Sequence, residues 1–333
     1  MRKNARKTSN FVQILCRMIR TRQLFLILFA IFSLSSCVSD TYVDFSGYAQ
    51  GGVYNVKANL KGVKVQRKVI ASVIDSLLTG IDFSLSGYNG NSLLSRYNAG
   101  EQIQPDRFFT EVMELSESFN ESTGGVFDVK SAPLFEIWGF GFKSGSFPTQ
   151  EMIDSAMLVC KSGKVLNFNA IAQGYTCDVI ASYLHSIGVR DMLVDIGEIY
   201  CEGVNDKGLG WSIGVDNPVD GNNTPGADIN GIWQSDGGSH GVVTSGNYRK
   251  FYVKDGKKYA HTIDPRTGRP VEHDLLSATV IAPTAAEADA IATACMVLGP
   301  EEGRRLIEND ERLEAYFITS EGVWSSPGFF IYL

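Results

Sequence analysis

LSATVIAPTAAEADAIATACMVLG, residues 276–299, reads as two elements in succession. Residues 276–282 are an apolar, β-branched run that Pro283 closes, the pattern of a buried strand. Thr284 then stands three residues before Glu287, a capping box in which each side chain satisfies a backbone N–H at a helix start. The Ala-rich helix that follows runs to about Leu298, where Gly299-Pro300 stops it. Outward from this stretch the same alternation recurs. Residues 64–81 place Val65, Val69, Ile70, Val73, Ile74, Leu77 and Leu78 on one helical face. A second helix is predicted over 105–122, with Pro105 at its start and Gly124-Gly125 past its end, and a third over 170–187, ended by Gly188. Strands are predicted over 192–199, 211–215, 313–319 and 323–333, with a hairpin over 250–262 turning at Asp255-Gly256. The Gly-, Asn- and Asp-rich residues 216–239 read as a long surface loop able to act as a lid. Strands mixed with helices indicate a mixed α/β or α+β class. No Gly-x-Gly-x-x-Gly follows a first strand, which disfavours a Rossmann dinucleotide fold.

The two ends of the chain differ sharply in charge. Arg2, Lys3, Arg6, Lys7, Arg17, Arg20 and Arg22 occupy a leader with no acidic residue, followed by the apolar run 24–32 and by Leu34-Ser35-Ser36-Cys37. A basic segment and a short apolar segment make a secretory signal, too short to span a membrane. Small residues closing on a cysteine match a bacterial lipoprotein cleavage box, although a plain signal peptide containing a cysteine has the same outline. The expected organisation is a signal peptide over 1–36, lipidation of Cys37, a tether over 37–47 and one catalytic domain over 48–333, lipid-anchored in a bacterial envelope and facing the periplasm. Met18 is an alternative start. Without the seven leader residues, 23 basic side chains face 37 acidic ones, a net charge of −14. A body so acidic lacks the basic footprint that nucleic acid requires. Cys160, Cys177, Cys201 and Cys295 form no Cys-x-x-Cys pair, so a zinc site is not indicated.

Five stretches carry candidate chemistry, each with a plainer alternative. Asp289 and Thr293 stand four apart on the Ala-rich helix and share a face. Buried oxygen groups in apolar surroundings need a partner, and a hard cation such as Mg²⁺ would satisfy both; a surface Asp and a Thr bonded to its own helix is the alternative. Thr244-Ser245-Gly246-Asn247-Tyr248-Arg249 is a turn whose N–H groups around Ser245 could hold phosphate, or an ordinary polar turn. His261 precedes Ile263-Asp264-Pro265-Arg266-Thr267-Gly268 and could act as a general base, with Asp264 orienting it or holding metal. Residues 166–175, at the third helix's start, offer N–H groups to an anion, or a simple cap through Asn167 or Asn169. Asp128, after Gly124-Gly125 and before Trp138-Gly139-Phe140-Gly141, could contact a ring or sugar, or sit in a turn beside core aromatics.

Taken in order, Phe127-Asp128 through Trp138-Gly139-Phe140-Gly141, Ile171-Ala172-Gln173-Gly174-Tyr175, Thr244-Ser245-Gly246-Asn247-Tyr248-Arg249, residues 261–270 and residues 288–294 resemble the ApbE-like FAD:protein FMN transferases, over 51–299. The resemblance implies two intimately packed α/β halves of T-fold-like type with a cleft between them, binding FAD with its pyrophosphate on Mg²⁺. It implies metal ligation by Asp289, Thr293 and the Ala170 carbonyl, FAD contacts at Asp128, Gln173 and Ile263, and an early loop at Ser95-Arg96-Tyr97 reaching the cofactor. His261 matches the catalytic base. The implied acceptors are Thr or Ser hydroxyls on flavoprotein subunits of membrane redox complexes. Asn167, Gln173, Glu198 and Gly52-Val53 depart from the family's usual residues, which bears on FAD contacts more than on the metal pair or His261. An FAD pyrophosphatase using water, or a non-catalytic FAD-binding lipoprotein, are the competing readings.

Overall fold

The computed structural model describes residues 41–141, 147–219, 222, 226–248 and 251–332. The leader, Cys37 and Arg249-Lys250 lie outside the described residues. The strands are β1 (Tyr42–Ala49), β2 (Gly52–Asn59), β3 (Met192–Asp195), β4 (Ile199–Glu202), β5 (Ser212–Asp216), β6 (Ile229–Gln234), β7 (His240–Gly246), β8 (Phe251–Lys254), β9 (Lys257–Ala260), β10 (Ile263–Asp264), β11 (Arg269–Pro270), β12 (Leu275–Ala282), β13 (Glu314–Thr319), β14 (Val323–Ser325) and β15 (Ile331–Tyr332). The helices are α1 (Arg67–Leu85), α2 (Leu93–Asn98), α3 (Arg107–Ser122), α4 (Ala132–Ile137), α5 (Gln150–Ser162), α6 (Ala172–Ser186), α7 (Ala285–Leu298) and α8 (Pro300–Glu308).

Eight strands form one sheet in the order β1-β2-β3-β4-β7-β12-β13-β14. Every pairing in it is antiparallel, so the mixed α/β class leans to the α+β side. Helices cover one face. Under β1–β4, Val56, Ala58, Met192 and Val194 pack on Ile70 and Ile74 of α1 and on Cys177, Ile180 and Leu184 of α6. Under β7 and β12, Val243, Ala278 and Val280 pack on Ala288, Ile291 and Ala292 of α7. The small three-stranded sheet β15-β6-β5 covers the other face through Trp211, Ile213 and Trp233 against Val242, Ile281 and Ile318. The two halves anticipated from sequence are thus joined across one continuous sheet, β4 pairing with β7.

The sequence that decides the fold behaves as its pattern demands. The Thr284 hydroxyl accepts the Glu287 N–H at 3.2 Å, and α7 is buried on two sides, Ala288, Ile291 and Ala292 facing the sheet while Ala286, Ala290 and Ala294 face α1, α3 and α6. Alanine suits a helix so enclosed because neighbouring backbones can approach closely. The β8–β9 hairpin turns at Asp255 and Gly256, both at positive φ as a type I′ turn requires.

Several expectations change. Residues 42–47, read as tether, are most of β1, because Phe45 is buried and the strand pairs along its full length with β2. Residues 192–199 are two strands, since Gly197 at φ 108° reverses the chain between β3 and β4. The supposed loop 216–239 contains β6, whose Trp233 is buried in the second sheet. Residues 323–333 split between β14 in the large sheet and β15 in the small one.

Candidate active site

A cleft of about 340 Å³ opens where the start of α6, the ends of β7 and β9, the turn before α4 and one side of α7 converge. Asp128, Ala170, Gln173, Ser245, His261, Ile263, Asp289 and Thr293, all singled out in the sequence, line it together although they span 166 positions of chain. Tyr88, Phe140, Asn167, Asn169, Glu198 and Thr244 line it as well.

Each side chain is placed by local chemistry. Asp128 caps the 3₁₀ turn Val129–Ser131, its carboxylate accepting the Lys130 N–H at 2.9 Å. Burial holds its pKa above the usual carboxylate range, opposed by the Lys130 backbone bond and charge. The Asn167 side chain accepts the Asn169 N–H at 2.9 Å and shapes the bend that presents Ala170. Gln173 donates to the Ile196 carbonyl at 3.0 Å, bracing the β3–β4 turn that carries Glu198. The strand supporting Ser245 is tied to β12 by the Thr244–Thr279 hydroxyl pair at 2.8 Å. His261 leaves the hairpin with its ring edge-on to Phe140 at 6.3 Å, and Thr262 beside it donates to Asn247 at 2.6 Å. The aromatic wall continues behind Phe140 through stacked Tyr252, Tyr259 and Trp138, and the Trp138 indole N–H donates to the Gly268 carbonyl at 2.8 Å.

Asp289 is the unusual group. It is only 4% exposed, on a helix of alanines, and its carboxylate accepts the Gly174 N–H at 3.2 Å. Among the described residues that is its one hydrogen bond, and no Lys or Arg pairs with it. Burial, chiefly, and the nearby Asp178 push its pKa well above the usual range. Three carboxylates, Asp128, Glu198 and Asp289, line the cleft, and no Lys or Arg among the described residues does. No group of three or more His, Cys, Asp or Glu among the described residues is arranged for a metal. A cation here would instead use mixed oxygen donors: the Asp289 carboxylate, the Thr293 hydroxyl one turn along, and the carbonyl of Ala170 opposite. A hard, oxygen-seeking ion fits that set and would neutralise a buried charge that the protein leaves with a single donor.

Four sequence candidates are not in the cleft lining. Asp264 is buried in the β10–β11 turn, where its carboxylate accepts the Arg266 N–H at 2.8 Å and that residue's guanidinium at 2.9 and 3.0 Å. Those bonds make it a turn anchor, and its oxygens are directed at Arg266 rather than His261. Ser95 and Arg96 sit on the short helix α2, Arg96 paired with Glu101 at 2.8 Å, while Tyr97 donates to the Gly163 carbonyl at 2.8 Å. The early segment reaches the cleft seven residues before Ser95, through Tyr88, which accepts from Asn169 at 3.4 Å. Nothing in the local sequence marks Tyr88 as the residue facing inward; only its aromatic character in a Ser/Gly/Asn turn could have flagged it.

The comparisons agree with this architecture. The FAD:protein FMN transferase of Escherichia coli K12 is 34% identical over 82% of this chain and 84% of its own length, and that of Haemophilus influenzae is 30% identical over 86% and 89%. In structure the chain resembles the Vibrio cholerae flavin transferase ApbE, with a TM-score of 0.73 at 29% identity over 86% of this chain and 97% of that one. It also resembles the apo form of the Pseudomonas stutzeri flavinyl transferase ApbE, with a TM-score of 0.75 at 31% identity over 86% and 95%. With the ApbE family model matching residues 50–317, which include every residue of the cleft, this chain belongs to the ApbE family.

Proposed function

We propose that the protein transfers the FMN half of FAD to a Thr or Ser hydroxyl of an acceptor flavoprotein, releasing AMP and using Mg²⁺. The observation that carries the metal assignment is the buried Asp289 carboxylate, held by one N–H and facing, with Thr293 and Ala170, a cleft with no Lys or Arg in its described lining. A dinucleotide's pyrophosphate would be repelled by such walls unless a cation lay between them. Bound there, Mg²⁺ supplies charge neutralisation on the phosphoryl oxygens and on the departing AMP.

The chain's own residues do the rest. Asp289, Thr293 and the Ala170 carbonyl hold the ion. Asp128, Gln173, Ser245 and Ile263 offer polar and backbone groups along the dinucleotide. His261 takes the proton from the acceptor hydroxyl, whose oxygen forms a bond to the phosphorus of the FMN half while the bond from that phosphorus to the bridging oxygen breaks. AMP leaves with that oxygen. Acceptors on membrane redox complexes, a lipid on Cys37 and a periplasm-facing location belong to the same proposal, supported by the export signal of the sequence. Among the described residues no helix is long and apolar enough to cross a membrane, so attachment would rest on the lipid.

Mass spectrometry of an acceptor incubated with protein, FAD and Mg²⁺ tests the activity. Gain of one FMN per acceptor, with stoichiometric AMP, is the expected result. AMP and free FMN with an unmodified acceptor would instead establish hydrolysis.

A further inference from the structure

The helices α6 and α7 each supply a partner that the other lacks. A helix leaves its first N–H groups without intrahelical acceptors. At the start of α7, Asp178 of α6 takes two of these, one carboxylate oxygen accepting from Ala285 at 2.8 Å and the other from Ala286 at 2.9 Å. One turn earlier on α6, the Gly174 N–H donates to Asp289, itself one turn along α7 from Ala285. The two bonds run in opposite directions between the helices. Glycine at 174 permits the approach, because a Cβ there would lie 2.3 Å from the Ala285 carbonyl oxygen. The remaining cap of α7, Thr284 to Glu287, lies within its own chain segment and ties α7 to nothing else.

The ligands assigned above are divided between these same two elements. Ala170 immediately precedes α6, while Asp289 and Thr293 are on α7. Their spacing is therefore the spacing of the two helix starts. The other residues assigned to the dinucleotide, Asp128, Ser245 and Ile263, come from segments that Asp178 does not touch.

We propose that Asp178 is a positioning residue of the divalent-cation site, latching the start of α7 to α6 so that Asp289 and Thr293 face the Ala170 carbonyl at ligating distance. It rests on the reading of those three as the ligands, and the test separates the two. Mn²⁺ serves as the probe, its binding to the FAD-free protein followed by electron paramagnetic resonance, with FAD turnover at saturating Mg²⁺ measured alongside.

For Asp178→Ala the Mn²⁺ dissociation constant should rise about 10- to 100-fold, the usual effect of losing a group that orients a ligand. Asp178→Asn should lie between it and the parent, because its amide oxygen still accepts one N–H. Thr284→Ala, which also weakens the α7 cap but joins no second helix, should stay within about twofold of the parent. In both Asp178 variants the KM for FAD at saturating Mg²⁺ should hold while kcat at limiting Mg²⁺ falls. Parental Mn²⁺ affinity in Asp178→Ala, with binding abolished in Asp289→Ala, would overturn the latch alone. Parental affinity in Asp289→Ala would overturn the ligand assignment itself. Equal weakening in Thr284→Ala and Asp178→Ala would reduce the effect to fraying of α7 and also overturn the latch. Should Asp178→Ala fail to fold, a folded Asp178→Asn with parental affinity is equally decisive against it.

Discussion

Gly174→Ala sets two opposing effects against each other at the α6–α7 crossing. In most helices the change would help, since alanine is favoured over glycine by roughly 1 kcal/mol per residue in a helix interior. Here the new methyl carbon would sit 2.3 Å from the Ala285 oxygen, 2.6 Å from its carbonyl carbon and 2.9 Å from the Ala286 nitrogen. All three are backbone atoms at the buried start of α7, and they have nowhere to turn. Carbon needs about 3.5 Å, so the helices must part by about 1 Å. Overpacking of this kind costs about 1–3 kcal/mol. The same movement stretches the 3.2 Å bond from Gly174 to the buried Asp289 carboxylate, and a hydrogen bond to a charged group contributes about 1.5–3 kcal/mol. Set against the propensity gain, the net loss is about 2–4 kcal/mol, or about 5–15 °C in melting temperature for a domain of this size. Circular dichroism melts of metal-free parent and variant read it directly. A variant that melts at or above the parent temperature would show that the two helices do not lie at this separation, and the account of the cleft built on it would fail.

Three other outcomes follow from the site. Asp289 and Asp178 both have pKa values raised by burial, Asp178 to about 7, so the folded protein binds their protons before the unfolded chain does. Metal-free stability should therefore rise as pH falls from about 7 toward about 4, and Asp289→Ala should flatten part of that rise; identical pH profiles from denaturant titrations would contradict it. His261→Ala should bind FAD as the parent does, by equilibrium flavin fluorescence, yet transfer FMN about 10²–10⁴-fold more slowly, and an unchanged rate would remove His261 from proton transfer. Trp138→Phe deletes the indole donor to Gly268 and should lower stability by about 1–3 kcal/mol in chemical denaturation, with no shift indicating that the bond is dispensable.

Elements whose signals are local were legible in the sequence. The α7 cap needs only Thr284 and Glu287, and the β8–β9 turn needs only Asp255-Gly256, so both could be read without knowing what lay opposite. What depended on distant partners was not legible. Phe45 gives β1 a weak pattern, and the strand exists because β2 offers a full register of partners beyond the Gln50-Gly51 turn. Trp233 makes β6 a strand only because a second sheet needs a lid for Val242 and Ile281. In the cleft, the family resemblance brought together eight of the residues that line it. It misplaced Ser95, Arg96 and Tyr97 because which turn of an early loop faces inward is set by the packing of α2 on Phe109, through Tyr97, and not by the loop's own sequence. Asp264 was misassigned for a simpler reason: Arg266, two residues on, claims its oxygens.

The strand order carries a consequence for how the molecule comes into being. β7 lies between β4 and β12, and α7 follows β12, so the cleft draws its walls from the chain between Tyr88 and Val297. Early and late segments must find each other across long separations, a topology that assembles slowly and all together. A nascent chain that has not yet emerged past β12 has half a sheet with an unpaired edge and no groove. Competence thus arrives near the end of synthesis, in one step, rather than being gathered piece by piece.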